Sequence, residues 1–125
     1  MSLKQHTGFT LIELLVTIAL IGILVTIALP QLVSYRNQSV CARVVSDTTN
    51  AMLVAEAYFT QYFAYPGNPT TAGFTPSQNV TVTYSGTGAV GVPFTVTGTD
   101  DTGRCPNGTA YVLAQGGAPL WSAGS

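Results

Sequence analysis

The chain has 125 residues, with four Lys and Arg against five Asp and Glu and a net charge of −1. That length holds one domain rather than two of ordinary size. Only 7% of residues are charged, against roughly 25% in an ordinary soluble domain, and no basic stripe is present to neutralise phosphates, so nucleic acid is not the expected partner.

The first eight residues, Met1–Gly8, are polar and carry Lys4. Phe9–Leu29 then forms an apolar run interrupted only by Thr10, Glu13, Thr17, Gly22 and Thr26. At 1.5 Å per residue this run spans about 31 Å as a helix, close to the ~30 Å hydrocarbon thickness of a bilayer. A membrane-crossing helix is predicted, because the remainder of so small a chain is too little to bury this much apolar surface. A conventional secretory signal cleaved near Ala28 is the alternative. The run exceeds the usual length of such a signal's apolar region, and it contains Glu13. A carboxylate at membrane depth costs several kcal/mol unless it is paired or protonated, which marks Glu13 as a functional residue. The helix offers it no cation of its own. The nearest candidate is an α-amino group on a neighbouring chain, exposed by cleavage.

Gly8-Phe9-Thr10-Leu11-Ile12-Glu13-Leu14-Leu15 resembles the class III signal of type IV pilins and pseudopilins. The following Val16 to Pro30, with Gly22-Ile23-Leu24 and Ala28-Leu29-Pro30-Gln31, is similar to the N-terminal helix of that family, and the likeness extends through Ser34-Tyr35-Arg36. The resemblance implies that a prepilin peptidase cuts after Gly8 and methylates the new amine of Phe9. The chain is then the substrate of that enzyme. It further implies that Glu13 pairs with the N-terminal amine of an adjacent subunit, so that a buried charge is neutralised across the contact. The implied division is a leader over residues 1–8, a transmembrane and assembly segment over 9–29, and an amphipathic helical half plus globular head over 30–125. Lys4 precedes the span while Arg36 and Arg43 follow it, so the positive-inside count does not orient the chain. The resemblance and the cysteine pair favour a cytoplasmic N-terminus and an exported head.

Beyond Pro30, Cys41, Val44, Thr48, Met52, Ala55, Phe59 and Tyr62 recur at steps of three and four, one face of an amphipathic helix. Gln38, Arg43, Asp47, Asn50 and Gln61 are read as its polar side. The helix is expected to end near Tyr62 or Phe63, stopped by Tyr65-Pro66-Gly67. Pro30 removes the N–H that would bond the Thr26 carbonyl, and Gly22 is a second soft point. The resemblance supports local unwinding from Gly22 to Pro30 when subunits enter a filament. Three strands are predicted after a loop at 68–77: Val80–Ser85, a run through Val92, Phe94 and Val96, and Ala110–Gln115, with turns at 85–91 and 98–108. The fold class is α+β, a long N-terminal helix packed on a small antiparallel sheet, as in the pilin head.

Cys41 and Cys105 are an even pair in a chain read as exported, which favours a disulfide over a buried free Cys41 and an exposed Cys105. Such a bridge departs from the family pattern in which a disulfide encloses a C-terminal loop, so loop-mediated adhesion is not carried over. Asp100-Asp101-Thr102-Gly103 reads as a turn, since two adjacent acids and a Gly do not supply the six or more oxygens of a hard-cation site. No metal or cofactor is expected. The aromatics Tyr35, Tyr58, Phe59, Tyr62, Phe63 and Tyr65 read as core and subunit contacts rather than as an electron path. The one histidine, His6, lies in the leader, so the processed chain has no imidazole and enzymatic activity is not expected. The leading expectation is a homo-oligomeric type IV pilus subunit serving adhesion, motility or DNA uptake. Its precursor resides in lipid and is handled by the peptidase and an inner-membrane assembly machine. A type II secretion pseudopilin or a minor pilin is the alternative within the family, and a filament-borne adhesin or DNA receptor the alternative of another class. Three arginines against five carboxylates would leave the processed chain at about −2 in side-chain charge, which opposes a DNA receptor.

Overall fold

The computed structural model describes residues 8–122; Lys4 and His6, in the expected leader, lie outside the described residues. One helix, α1, runs Leu11–Tyr62, and it passes through Pro30 without interruption. The chain divides into two compact units, one ending at Tyr35 and the other beginning at Arg36, and α1 contributes to both. Four strands follow the helix: β1 Val80–Ser85, β2 Thr95–Asp100, β3 Ala110–Ala114 and β4 Leu120–Ser122. They form a single antiparallel sheet in the order β1-β2-β3-β4.

In the first unit the helix is apolar all round, and its residues are exposed from Leu11 through Tyr35. The second unit has its own core. Val44, Ala51 and Ala55 of α1 meet Val80 and Val82 of β1, Val96 of β2, and Phe94 just ahead of β2. The strands follow the two-residue alternation expected of a half-covered sheet. Val80, Val82, Val96 and Gly98 turn inward, while Thr81 and Thr83 lie exposed on the other face. Tyr84 reaches across from β1 to donate its hydroxyl to the Ala51 carbonyl, 2.7 Å away, which lets a phenol lie in an apolar layer.

The C-terminus of α1 closes with Phe63 in the left-handed region (φ 54°), its N–H donating to the Phe59 carbonyl at 2.7 Å. The chain then turns through Tyr65 and the buried Pro66. Tyr65 stacks on Phe94 with ring centroids 4.1 Å apart and on Phe59 at 4.7 Å, so Tyr65 is the member of this aromatic group that joins the core. Phe59 and Tyr62 themselves are exposed, as are Tyr35 and Phe63, so the core reading of these aromatics holds for Tyr65 and not for them.

Three sequence expectations are corrected. The sheet has four strands, not three: β4 is only three residues long, too short to show an alternation. β2 starts at Thr95 and continues through Gly98 to Asp100, where the residue types suggest a turn. Asp47, read as solvent-facing, is buried. Its carboxylate accepts the Ser77 N–H at 2.7 Å and the Ser77 hydroxyl at 3.0 Å, which ties the loop before β1 to the helix.

Gly98 shows why β2 tolerates a glycine in its centre. A side chain there would overlap the Thr48 hydroxyl and come within 3.3 Å of Val44 Cγ1. Thr48 is fully buried, β-branched, and held by its own bond to the Val44 carbonyl at 2.6 Å, so it has little room to rotate away. Gly98→Ala is therefore expected to destabilise the head by about 1–3 kcal/mol through overpacking. Thermal unfolding of the detergent-solubilised chain followed by Trp121 fluorescence measures this. An unchanged midpoint would mean that helix and sheet approach less closely than described.

Candidate functional site

The site begins with three exposed, non-helical residues, Gly8, Phe9 and Thr10. Phe9 is 93% exposed. The Gly8–Phe9 bond is thus flanked by exposed residues on both sides. The helix proper starts one residue after Thr10. Thr10 and Glu13 form a reciprocal capping box: the Thr10 hydroxyl accepts the Glu13 N–H at 3.3 Å, and Glu13 Oε2 accepts the Thr10 N–H at 3.0 Å. Two of the N–H groups that a helix start leaves without partners are thus satisfied. The carboxylate also sits in the first turn, where the helix dipole favours negative charge. From its place in the apolar run alone, Glu13 reads as a charge awaiting a partner. The Thr-x-x-Glu spacing just ahead of the apolar run was the available signal for this second role.

The remaining hydroxyls of the apolar run are silenced within the chain. Thr17 donates to the Glu13 carbonyl at 2.7 Å, and Thr26 donates to the Ile23 carbonyl at 2.6 Å. Such back-bonding leaves no hydroxyl proton to be stripped of water in an apolar medium. α1 carries a stretch long and apolar enough to cross a membrane, and none of that stretch is buried within the chain. A side chain built at Gly22 would meet no other part of the described chain. The glycine is therefore not required by packing inside this molecule.

In the second unit the structure joins Cys41 of α1 to Cys105, across 64 positions of sequence. The turn carrying Cys105 is organised by Asp100. One carboxylate oxygen, Oδ1, accepts the Thr102 N–H at 2.9 Å and the Thr102 hydroxyl at 2.6 Å. The other, Oδ2, accepts the Arg104 N–H at 2.7 Å and the Cys105 N–H at 3.0 Å. Burial pushes the Asp100 carboxyl upward, but these bonds from Thr102, Cys105 and Arg104 outweigh it and hold it below its ordinary value. Both oxygens are engaged by the turn's own donors. Asp101 is likewise occupied, accepting the Thr81 hydroxyl at 2.9 Å.

A membrane-length helix led by a short exposed segment, a first-turn glutamate and a small antiparallel head define a pilin-like class of protein. Residues 3–29 match the prokaryotic N-terminal methylation motif. The chain is 37% identical over 84 residues to a fimbrial protein of Neisseria meningitidis, an alignment covering 62% of this chain and 45% of the relative. It is 54% identical over 41 residues to the type IV major fimbrial protein FimA of Dichelobacter nodosus, covering 33% of this chain and 26% of that one. It is also 33% identical over 66 residues to the type II secretion system core protein G of Pseudomonas aeruginosa, covering 53% and 46%. The chain thus spans at most about half the length of these curated relatives. The motif and the fimbrial relatives are what this chain is similar to, and its helix-on-sheet fold is pilin-like.

Proposed function

We propose that this chain is a structural subunit of a type IV pilus, polymerising through the first half of α1 into a surface filament, and that it is not an enzyme. The observation that carries this reading is the exposed apolar stretch at the start of α1, with its hydroxyls bonded internally and one carboxylate at its head. Such a surface is stable in lipid or against copies of itself, and in little else. In the precursor it crosses the inner membrane once. A prepilin peptidase cuts after Gly8 and methylates Phe9, and an inner-membrane assembly machine then extracts the helix. Glu13 accepts the Thr10 N–H through Oε2 and takes the Phe9 amine of an adjacent subunit as its ionic partner, so that no uncompensated charge enters the filament core. Gly22 and Pro30 serve assembly by giving α1 a segment that can extend: Pro30 supplies no N–H to the Thr26 carbonyl, and Gly22 stiffens nothing.

Mass spectrometry of sheared surface filaments tests the reading. The expected N-terminus is N-methylated Phe9. A filament subunit beginning near Leu29, or a protein never found in filaments, would overturn it. Glu13→Ala is expected to be processed normally but to reduce filament yield at least about tenfold, since a lost desolvated ion pair at an interface costs several kcal/mol. The likeness to the secretion-system core protein favours a second reading, a pseudopilin of a type II secretion system. Abundant long filaments on cells expressing the chain at native levels separate the first from the second.

A further inference from the structure

The chain has five asparagines, at positions 37, 50, 68, 79 and 107. An asparagine loses ammonia without an enzyme when the backbone nitrogen of the next residue attacks its side-chain carbonyl, which makes it a thermolabile residue. The attack needs a nitrogen that carries a hydrogen and is not held elsewhere. It also needs a next residue whose side chain does not crowd the approach, and water at the site.

Four of the five asparagines fail one of these conditions. Asn37 and Asn50 lie inside α1, where the N–H groups of Gln38 and Ala51 belong to the i→i−4 ladder. Asn68 precedes Pro69, whose nitrogen has no hydrogen to give up. Asn79 precedes the buried, β-branched Val80, whose N–H donates to the Ser77 carbonyl at 3.2 Å.

Asn107 meets all of them. It is exposed in the turn between Cys105 and β3, and Gly108 follows it. The Gly108 N–H faces the Cys105 carbonyl at 3.4 Å, outside the usual range of about 2.7–3.2 Å, so it is only loosely held. The fold also requires this glycine. Its φ is 142°, and a Cβ there would overlap the Ser122 carbonyl oxygen and come within 3.6 Å of the Trp121 ring. The close approach of β4 thus demands glycine at the one place where it leaves an asparagine open to attack.

We propose that Asn107 is a self-modifying site, converting to a mixture of aspartyl and isoaspartyl forms as the protein ages. The Gly108 nitrogen bonds to Asn107 Cγ, the Cγ–Nδ2 bond breaks, and the NH2 group leaves as ammonia with the proton of the Gly108 N–H. Water then opens the cyclic imide at either carbonyl. Opening at Cγ restores the ordinary backbone with a side-chain carboxylate. Opening at the other carbonyl routes the chain through Cγ and frees the α-carboxylate. Nothing is oxidised or reduced, and either product carries one new negative charge. That charge enters a groove beside the Cys41–Cys105 bridge whose lining, from Gln38 and Ser46 of α1 to Pro106 and Trp121, carries no charge among the described residues. The isoaspartyl form also lengthens the backbone by one carbon just ahead of Gly108, where the fit against Ser122 leaves no slack. The head thereby gains a mark of its age. The inference is independent of the filament reading.

The test uses the freshly purified full-length chain in detergent, held at physiological temperature and sampled over days from neutral to mildly alkaline pH. Its peptides are mapped by mass spectrometry. Exchange of NH2 for OH is expected at Asn107 about tenfold faster than at any other asparagine, with a rate rising about tenfold per pH unit, as the deprotonated fraction of an amide does. The product should separate into aspartyl and isoaspartyl peptides. Asn107→Gln should abolish the conversion, because the larger ring closes far more slowly, and leave the melting temperature unchanged, because the side chain is exposed. The reduced, denatured chain gives the rate set by sequence alone. Conversion there while Asn107 stays intact in the folded chain would show that the turn protects it and would overturn the proposal. Conversion at Asn107 no faster than at Asn37 or Asn79 would overturn it equally.

Discussion

Replacing Cys41 and Cys105 together by alanine is expected to lower the melting temperature of the head by on the order of 20 °C, from a loss of about 4 kcal/mol. The bridge links positions 64 apart, so cutting it frees most of the head's chain in the unfolded state. Against a total stability of about 5–15 kcal/mol for a domain, that loss is a large fraction. It also falls where the sheet depends on it. Apart from the bridge, the turn before β3 is held by the bonds that Asp100 accepts from its own loop and by Asp101, which accepts the Thr81 hydroxyl and donates its N–H to the Asn79 carbonyl; none of these reaches α1. Trp121 lines the same groove as Cys41, so its fluorescence reports on this region directly. Melts of the detergent-solubilised chain, oxidised, reduced and doubly substituted, are the measurement. Reduced wild type and the double variant should melt together, well below the oxidised protein. Melts that coincide for all three would show that helix and sheet hold together without the staple.

The parts of this molecule that were legible in its residues are those governed by local periodicity. The length of the apolar run, the stripe from Cys41 to Ala55, the stop at Tyr65-Pro66 and the Val/Thr alternation of β1 each follow from a spacing that one segment contains. The features that were not legible depend on partners distant in sequence. Asp47 reads as surface because its partner, Ser77, lies 30 positions on. Gly98 to Asp100 read as a turn because glycine and aspartate are turn residues. They form strand because Gly98 must admit Thr48 of α1, and because Asp100 spends its carboxylate on the loop that follows. β4 was hidden by its brevity: its pairing with β3, Tyr111 opposite Trp121, is a property of the finished sheet. In the N-terminal site the sequence exposed the charge at Glu13 but not its geometry. The bond from Thr10 to that carboxylate gives Glu13 a role at the start of the helix beside the intersubunit role proposed for it.

Asp100→Asn is expected to destabilise the head by about 2–4 kcal/mol at neutral pH, although it changes few atoms and removes little volume. An amide presents one oxygen where the carboxylate presents two. With its oxygen turned toward Thr102, its NH2 faces the N–H groups of Arg104 and Cys105, donor against donor, at a buried position. With the amide reversed, the Thr102 N–H and hydroxyl are left without their acceptor. The pH dependence separates this account from a packing defect. Burial raises the Asp100 carboxyl and its several donors lower it further than burial lifts it, so the folded protein binds this proton less readily than the unfolded chain, whose ordinary value is 3.8. The stabilisation from the ionised carboxylate is then fully present above that ordinary value and is lost as the pH falls through it toward the lower folded value. The gap between wild type and Asp100→Asn should stay constant from neutral pH down to about pH 5 and close progressively below about pH 4. Melting temperatures of the two proteins across that range measure it. A gap that persists undiminished into strong acid would mean that the variant fails for a reason other than the missing charge, and that the turn presenting Cys105 is not held by it.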